Sequence, residues 1–160
     1  MTEPQAITTE RVDDIPVLLA SIAEMEVGAL LDEHFKPHGN WAGLSLGQVC
    51  VGWLTHILSE ADQRMNHVQD WVEKREATLS ACLQAEVRAE DFTDDRLEIA
   101  LDELSDDESW AGFETALNGR TMRVYDLSPS CVRLDGTTAN GYWRMTEDGL
   151  FQLGHSKDHR

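Results

Sequence analysis

Residues 45–60, SLGQVCVGWLTHILSE, decide the fold class. Ser45 is followed three residues later by Gln48, the capping-box spacing that marks the N-terminus of an α-helix. Apolar side chains then recur with the 3.6-residue period of an amphipathic helix, at positions 46, 49, 50, 53, 54, 57 and 58. The sequence therefore predicts one long helix here, with a face broad enough to organise a helical core.

A shorter helix is predicted on the N-terminal side of this segment. It follows Asp13 or Asp14 as its cap and has Pro16 in its first turn, where the missing proline N–H does no harm. Gly28 is expected to break it. The stretch KPHGNWAGL, residues 36–44, contains the proline and glycines typical of a loop.

Three further helices are predicted on the C-terminal side. One spans residues 65–83, and a second is capped by Thr93. The third begins at a possible capping box, Ser105 with Glu108, and is expected to stop at Asn118–Gly119. No strand pattern, internal repeat or low-complexity stretch occurs between residues 10 and 120, so this region is predicted to be one domain of about five helices.

Two of the tryptophans, Trp53 and Trp110, lie on predicted apolar helix faces and are expected in the core, whereas Trp41 lies in the loop and is expected to be exposed.

Composition indicates a soluble protein. The chain has 160 residues, of which 41% are hydrophobic, and no apolar run approaches the roughly 20 residues of a membrane-spanning helix. The first twenty residues lack the basic and apolar segments of a secretory signal, so a cytoplasmic protein without membrane contact is expected. Its three cysteines form no CxxC pair, which argues against a disulfide framework and a zinc ribbon.

The net charge of −17 argues against a DNA-binding surface, which normally has an excess of lysine and arginine. Residues 1–124 contain 25 acidic and 9 basic side chains, a balance of −16, whereas residues 125–160 contain 5 and 4, a balance of −1. The acidity therefore belongs to the helical region. If the protein acts on DNA, most of the basic surface must lie elsewhere.

The pattern changes after Tyr125. DLSPS, residues 126–130, is typical of a linker, and CVRLD, residues 131–135, alternates like a strand. GYWRMTEDGLFQLGHS, residues 141–156, has the pattern of two strands joined by a hairpin turn at Glu147–Gly149. Two or three short strands cannot enclose a core alone, so residues 125–160 are expected to be the beginning of an incomplete domain.

The string VRLDGTTANGYW, followed by TEDGLFQLGHSKDHR, resembles the opening of the catalytic domain in DDE transposases of bacterial insertion sequences. ERVDDIPVLLA, HGNWAGLSLGQV, WLTHILSEADQRMNHVQDW and FTDDRL resemble the helical domain that precedes the catalytic domain in one branch of these enzymes. The resemblance covers essentially the whole chain. It implies a mainly α chain: a helical N-terminal domain over residues 1–124, and over residues 125–160 the first strands of a truncated ribonuclease-H-like α/β domain.

Asp135 takes the position of the family's first catalytic aspartate, at the end of the first strand. The resemblance implies that it is a ligand of Mg²⁺ or Mn²⁺ in the complete enzyme, where two metal ions promote phosphodiester cleavage and strand transfer. The remaining carboxylates lie much further along in the family, so this chain alone is expected to bind no metal and to cut no DNA. Asp148 is interpreted as a hairpin residue.

The segment after the hairpin allows two interpretations. Lys157 and Arg160 fit contacts to DNA phosphates. His155 and His159, four residues apart, could imitate zinc ligands, but no third ligand is suitably spaced.

Two classes of function follow from the sequence. The first is a transposase portion whose helical domain contributes dimerisation or contacts to transposon-end DNA when the complete enzyme assembles. The alternative is a non-enzymatic interaction module from a truncated gene, which binds intact transposase or another protein partner. The length of the natural reading frame separates the two.

Overall fold

Seven α-helices make up most of the residues that the computed structural model describes, which are 9–37 and 39–128. They are α1 (Ile15–Glu24), α2 (Val27–His34), α3 (Leu46–Glu60), α4 (Val68–Glu73), α5 (Glu76–Leu83), α6 (Asp94–Leu104) and α7 (Asp107–Val124), with 3₁₀ helices at Met65–His67 and Ala89–Phe92. The mainly α prediction is confirmed, and the described residues contain no strand. The strands predicted between residues 131 and 156 lie outside them.

Helix α3 is the centre of the fold, as its sequence predicts. The side chain of Ser45 accepts a hydrogen bond from the Gln48 backbone N–H, and the Gln48 side chain accepts one from the Ser45 backbone N–H. Helix α3 packs against α1, α2, α4 and α6. The largest fully buried side chains are Phe92, Ile15, Leu46, Leu79, Leu97, His56, Val49, Val68, Val72 and Thr55. One core thus joins α3 to most of the other helices, in a compact unit that extends to Leu127.

The break between α1 and α2 occurs at Glu26, and the prediction that Gly28 causes it is wrong. Glu26 has the left-handed backbone, with φ 54°, and Gly28 lies inside α2. The close approach of α2 and α3 depends instead on Gly47 of α3. A Cβ added at Gly47 of α3 would lie 2.1 Å from the carbonyl oxygen of Gly28.

The single helix predicted over residues 65–83 is wrong, because this segment forms a 3₁₀ helix and two short α-helices. Helix α4 ends at Glu73, and α5 begins at Glu76 after a change of direction at Arg75, where φ is −143°. The Arg75 side chain is buried against Trp71 of α4, with its guanidinium carbon 5.0 Å from the indole ring centroid. The break therefore places a cation inside the domain.

Thr93 caps α6 as predicted, by accepting a hydrogen bond from the Arg96 backbone N–H. The capping box expected at Ser105 and Glu108 does not form. Asp106 is the N-cap of α7 instead, and its carboxylate accepts from the Ser109 N–H at 2.8 Å.

Helix α7 continues past Asn118–Gly119, so the stop predicted there is also wrong. It ends at Val124, with Asp126 in the left-handed conformation and the Leu127 N–H donating to the Met122 carbonyl oxygen. This Schellman-type ending satisfies carbonyls that would otherwise lack partners.

Helix ends are also capped by carboxylates from distant parts of the chain. Asp32 of α2 accepts from the Gly47 N–H in the first turn of α3, at 2.7 Å. Glu76 accepts from the Ala89 N–H at 2.7 Å, at the start of the second 3₁₀ helix. Part of the domain's negative charge therefore satisfies backbone donors at helix N-termini, where the helix dipole favours it.

Candidate functional site

The residues that the sequence singles out for chemistry, Asp135, Lys157 and Arg160, lie outside the described residues, as do His155 and His159. Their predicted roles stay predictions. The helical domain itself contains a polar cleft that sequence reasoning missed.

The cleft has a volume of about 400 Å³ and lies where the C-terminal end of α3 meets α4 and the 3₁₀ helix before it. Its walls are polar or aromatic throughout: His56, Glu60, Asp62, His67, Asp70, Trp71, Lys74 and Arg75. We refer to it below as the His56 cleft.

Three flat side chains form its buried part. The His56 ring is 2% exposed and meets Trp71 edge-on, with ring centroids 5.3 Å apart, while Arg75 covers the indole as described above. One oxygen of Glu60 accepts from the Trp71 indole N–H at 2.9 Å and from Arg75 at 3.2 Å. A carboxylate from α3 thus fixes two residues of the following segment.

Two buried nitrogen atoms of this group, His56 Nδ1 and Arg75 Nε, have no hydrogen-bond partner among the described residues. A buried polar atom without a partner costs about 1–3 kcal/mol. The cleft is therefore less favourable for stability than an apolar core of the same size would be.

Burial lowers the pKa of His56, because the charged imidazolium loses its hydration. The negative charges of Asp62 and Glu60 act in the opposite direction without overcoming burial, while the positive charges of His67 and Arg75 add to its effect. His56 is accordingly neutral near pH 7.

The carboxyl group of Asp62, at the rim of the cleft, is in its charged form. Hydrogen bonds from the Arg64 side chain and backbone and from His67 hold its pKa well below the usual range, against a smaller opposing effect of burial. His67 Nδ1 lies 2.9 Å from the Asp62 carboxylate.

These pairings restrict the reactions in which the side chains of the cleft could take part. Its lining includes no serine, threonine or cysteine that His56 could activate as a nucleophile. Within the described ranges, no three histidine, cysteine or acidic side chains are placed to hold a metal ion. Around the neutral His56, Asp62 pairs with Arg64 and His67, and Glu60 pairs with Arg75.

The N-terminal segment of residues 9–14, which we call the strap, lies beside this cleft. Asp13 lies 3.5 Å from Arg75, and Asp14 accepts a hydrogen bond from Ser59 at 2.6 Å. Glu10 reaches the N-terminus of α5, where its carboxylate accepts from the N–H groups of Ala77 and Thr78 and from the Thr78 hydroxyl. The strap therefore joins the ends of α3 and α5.

The basic side chains of the domain are largely occupied by acidic neighbours. Six of the nine lysines and arginines among the described residues form ion pairs within the domain: Arg11, Arg64, Arg75, Arg88, Arg96 and Arg120. This pairing leaves no basic stripe for a DNA groove on the described surface.

The tryptophan predictions are only partly correct. Trp41 is half-buried, because its indole N–H donates to the Leu44 carbonyl oxygen at 2.7 Å and Arg96 covers its ring at 4.3 Å. Trp110 packs against Phe35 and Phe113 but is 43% exposed, so it lies at the edge of the core. Trp53 is partly buried against the core.

The sequence does contain a pattern that indicates the burial of His56. Val49, Gly52 and His56 follow one another at spacings of three and four, which places them on one face of α3, and this face is buried. The burial of Arg75 has no comparable signal, since it depends on Asp13 and Glu60 from elsewhere in the chain.

Comparison with known proteins assigns a family without assigning an activity. Residues 7–115, more than half of the chain, match the family described as "Domain of unknown function (DUF4277)". No curated protein and no solved structure matches the chain. None of the helices in the described part of the chain is long and apolar enough to cross a membrane.

Proposed function

This chain belongs to the DUF4277 family, and we propose that it forms the N-terminal portion of a DDE transposase that acts in DNA transposition. In this proposal the helical domain makes protein contacts during assembly, and Asp135 is a ligand of Mg²⁺ or Mn²⁺ in the complete enzyme. Residues 125–160 supply the opening strands of its ribonuclease-H-like domain.

One observation carries the proposal: the string VRLDGTTANGYW, with TEDGLFQLGHSKDHR after it, follows a helical region that resembles the matching domain of the same enzymes. The family match ends at residue 115, before this string begins. The transposase proposal therefore depends on residues 132–160, which the family match does not include.

The chemistry requires a rigidly held carboxylate at Asp135. Two divalent ions activate the attacking hydroxyl and stabilise the leaving oxygen of a phosphodiester, and magnesium tolerates little error in the position of its ligands. The end of a strand gives such rigidity. Lys157 and Arg160 would contact phosphates of the transposon end.

Charge favours protein partners for the helical domain. Its balance of −16 opposes long-range attraction to a duplex, and most of its arginines are paired internally. The end of α7 exposes apolar side chains that suit contact with protein: Met122, Val124, Tyr125 and Leu127. A second copy of this chain, or an intact transposase, is the proposed partner.

The test uses the reading frame extended to its natural stop, incubated with a transposon-end duplex and Mg²⁺ or Mn²⁺. The expected result is metal-dependent nicking that Asp135→Ala abolishes and that the matched control Asp148→Ala retains. Nicking by the 160-residue chain alone, or full activity of Asp135→Ala, would refute the assignment.

The alternative, a non-enzymatic interaction module, is favoured by the same acidic, internally paired surface. It predicts that the 160-residue chain inhibits nicking by an intact transposase at stoichiometric concentration, and that the extended frame has no activity of its own.

A further inference from the structure

The surroundings of His56 accommodate the neutral form of its ring and disfavour the charged form. The ring is buried, meets the Trp71 indole edge-on with centroids 5.3 Å apart, and has no hydrogen-bond partner for its Nδ1 atom among the described residues. A charged imidazolium donates from both ring nitrogens. Protonation of His56 would therefore place a positive charge and an unsatisfied Nδ1–H inside the domain, and the burial of each is unfavourable.

A permanent cation lies against the same aromatic ring. The guanidinium of Arg75, which stays charged at any physiological pH, has its central carbon 5.0 Å from the Trp71 ring centroid, and Arg75 is more than nine-tenths buried. A protonated His56 would thus be a second cation against one indole. Burial and, to a smaller extent, the charge of Arg75 lower the pKa of His56.

Glu60 is the acid of α3 that a charged His56 would attract. It lies four residues after His56, a spacing that places the two side chains next to each other on the helix surface. Its Oε1 atom already accepts from the Trp71 indole N–H at 2.9 Å and from Arg75 at 3.2 Å. A protonated His56 would therefore compete with Trp71 and Arg75 for this carboxylate.

The other charged side chains that line the cleft come from the segment after α3. The Asp62 carboxylate would attract an imidazolium, but it already accepts from Arg64 at 2.7 Å and lies 2.9 Å from His67 Nδ1. The positive charge of His67 opposes a second charged ring. Asp70 and Lys74, of opposite charge, complete the set. None of the described residues of α1, α2, α6 or the second 3₁₀ helix lines the cleft.

Arg75 is the member of this group that can move at least expense to the fold. Its two ion-pair partners, Glu60 and Asp13 of the strap, are partly exposed, so its contacts lie near the surface. A long arginine side chain can also place its charged end in water while its stem stays on the protein. The apolar side chains of α4 and α5, by contrast, belong to the hydrophobic core. Movement of the Arg75 side chain into solvent would leave that core closed.

We propose that His56 and Arg75 form an acid-sensitive latch, in which protonation of His56 draws Glu60 toward the imidazolium and drives the Arg75 guanidinium off the Trp71 indole. Departure of Arg75 also releases Asp13, and with it part of the attachment of the strap. Near pH 7 the latch is closed, because His56 is neutral. The proposal does not depend on the transposase assignment, since it uses only the helical domain.

Uptake of one proton on opening sets the size of the pH effect. The window begins near the unperturbed histidine pKa of about 6.5 and extends down to the lower folded-state pKa of His56. Within it, the fraction of open molecules rises about tenfold for each unit by which pH falls. In the open state the Trp71 indole N–H loses its acceptor and the guanidinium that covers its ring, so its exchange with solvent reports the opening.

The experiment measures hydrogen exchange of the indole N–H groups by NMR, in the ¹⁵N-labelled 160-residue chain between pH 7 and 5. The exchange rate of free indole at each pH, divided by the measured rate, gives a protection factor for Trp71. Trp41 is the internal control, because its indole N–H donates to the Leu44 carbonyl oxygen at 2.7 Å and lies outside the cleft. The original chain is compared with His56→Gln and with the matched control His67→Gln.

We expect the protection factor of Trp71 to fall about tenfold per pH unit below pH 6.5 in the original chain and in His67→Gln, and to stay constant in His56→Gln. Trp41 should keep its protection in all three proteins. Parallel loss at Trp71 and Trp41, or no loss at Trp71, overturns the proposal. So does disappearance of the loss in His67→Gln, a result that does not require the His56 variant to fold. Persistence of the loss in folded His56→Gln overturns it as well.

Discussion

Helices α2 and α3 approach closely where they cross at Gly28 and Gly47, and Gly47→Ala tests this contact. The added Cβ would lie 2.1 Å from the carbonyl oxygen and 2.8 Å from the carbonyl carbon of Gly28, and 3.0 Å from the Asp32 carboxylate carbon. Two of these three atoms belong to the backbone and cannot rotate away. The two helices must therefore move apart by roughly 1 Å, the distance that restores an ordinary contact.

Three contributions set the size of the effect. Overpacking that shifts backbone in a core costs about 1–3 kcal/mol. The Gly47 N–H also donates to Asp32 at 2.7 Å, and loss of this helix-end hydrogen bond adds about 1 kcal/mol. The better helix propensity of alanine offsets about 1 kcal/mol. The last two contributions cancel, so we expect Gly47→Ala to lower the free energy of unfolding by about 1–3 kcal/mol.

The assay is urea unfolding followed by far-ultraviolet circular dichroism, and the same crossing provides the control. A Cβ at Gly28 would meet Val51 at 3.4 Å and the Gly47 backbone at 3.7 Å, which are ordinary contacts. Gly28→Ala should therefore change stability by less than about 1 kcal/mol. Equal losses for the two variants would refute the close approach of α2 and α3.

Three other outcomes are expected. Burial lowers the pKa of His56, so its neutral form contributes stability above the unfolded-state pKa of about 6.5, and this contribution is lost as pH falls from there through the folded-state pKa. His56→Gln should therefore reduce the dependence of the unfolding free energy on pH between pH 7 and 5. Arg96→Lys should lower the free energy of unfolding by about 1–2 kcal/mol, because lysine cannot both donate to the Ala42 and Leu44 carbonyls and cover Trp41. Arg88→Lys, on the surface, is the control and should leave stability nearly unchanged in the same urea assay. The 160-residue chain should bind arbitrary duplex DNA more weakly than about 0.1 mM at 0.15 M salt in a fluorescence-anisotropy titration, and a tight, salt-resistant complex would contradict the charge argument.

Local signals explain which helix ends could be read from the sequence. Ser45 with Gln48, and Thr93 before α6, cap within one turn of their own helices, so the capping pattern contains the whole interaction. Ser105 and Asp106 both offer a side chain that can cap, and spacing alone does not decide between them; the structure selects Asp106. Asn118 and Gly119 resemble a stop but lie within α7, since a glycine ends a helix only where the backbone turns left-handed.

The remaining features depend on partners far apart in sequence, which no local pattern records. The break between α4 and α5 follows the burial of Arg75 between Asp13 and Glu60, from the strap and from α3. The His56 cleft forms from the same segments. The helical period of the sequence places His56 on the buried face of α3. The side chains that surround His56 come from other segments, so only the folded structure identifies them.

These long-range contacts change the interpretation of the acidity. A balance of −16 suggests a solvated surface, yet several carboxylates cap helices or hold arginines inside the domain: Glu10, Asp32, Glu60, Glu76 and Asp106. Six of the nine lysines and arginines among the described residues are also held in ion pairs with acids, so the domain has little positive charge left for phosphates. The same contacts that stabilise the fold therefore direct the proposed function of the helical domain toward protein partners.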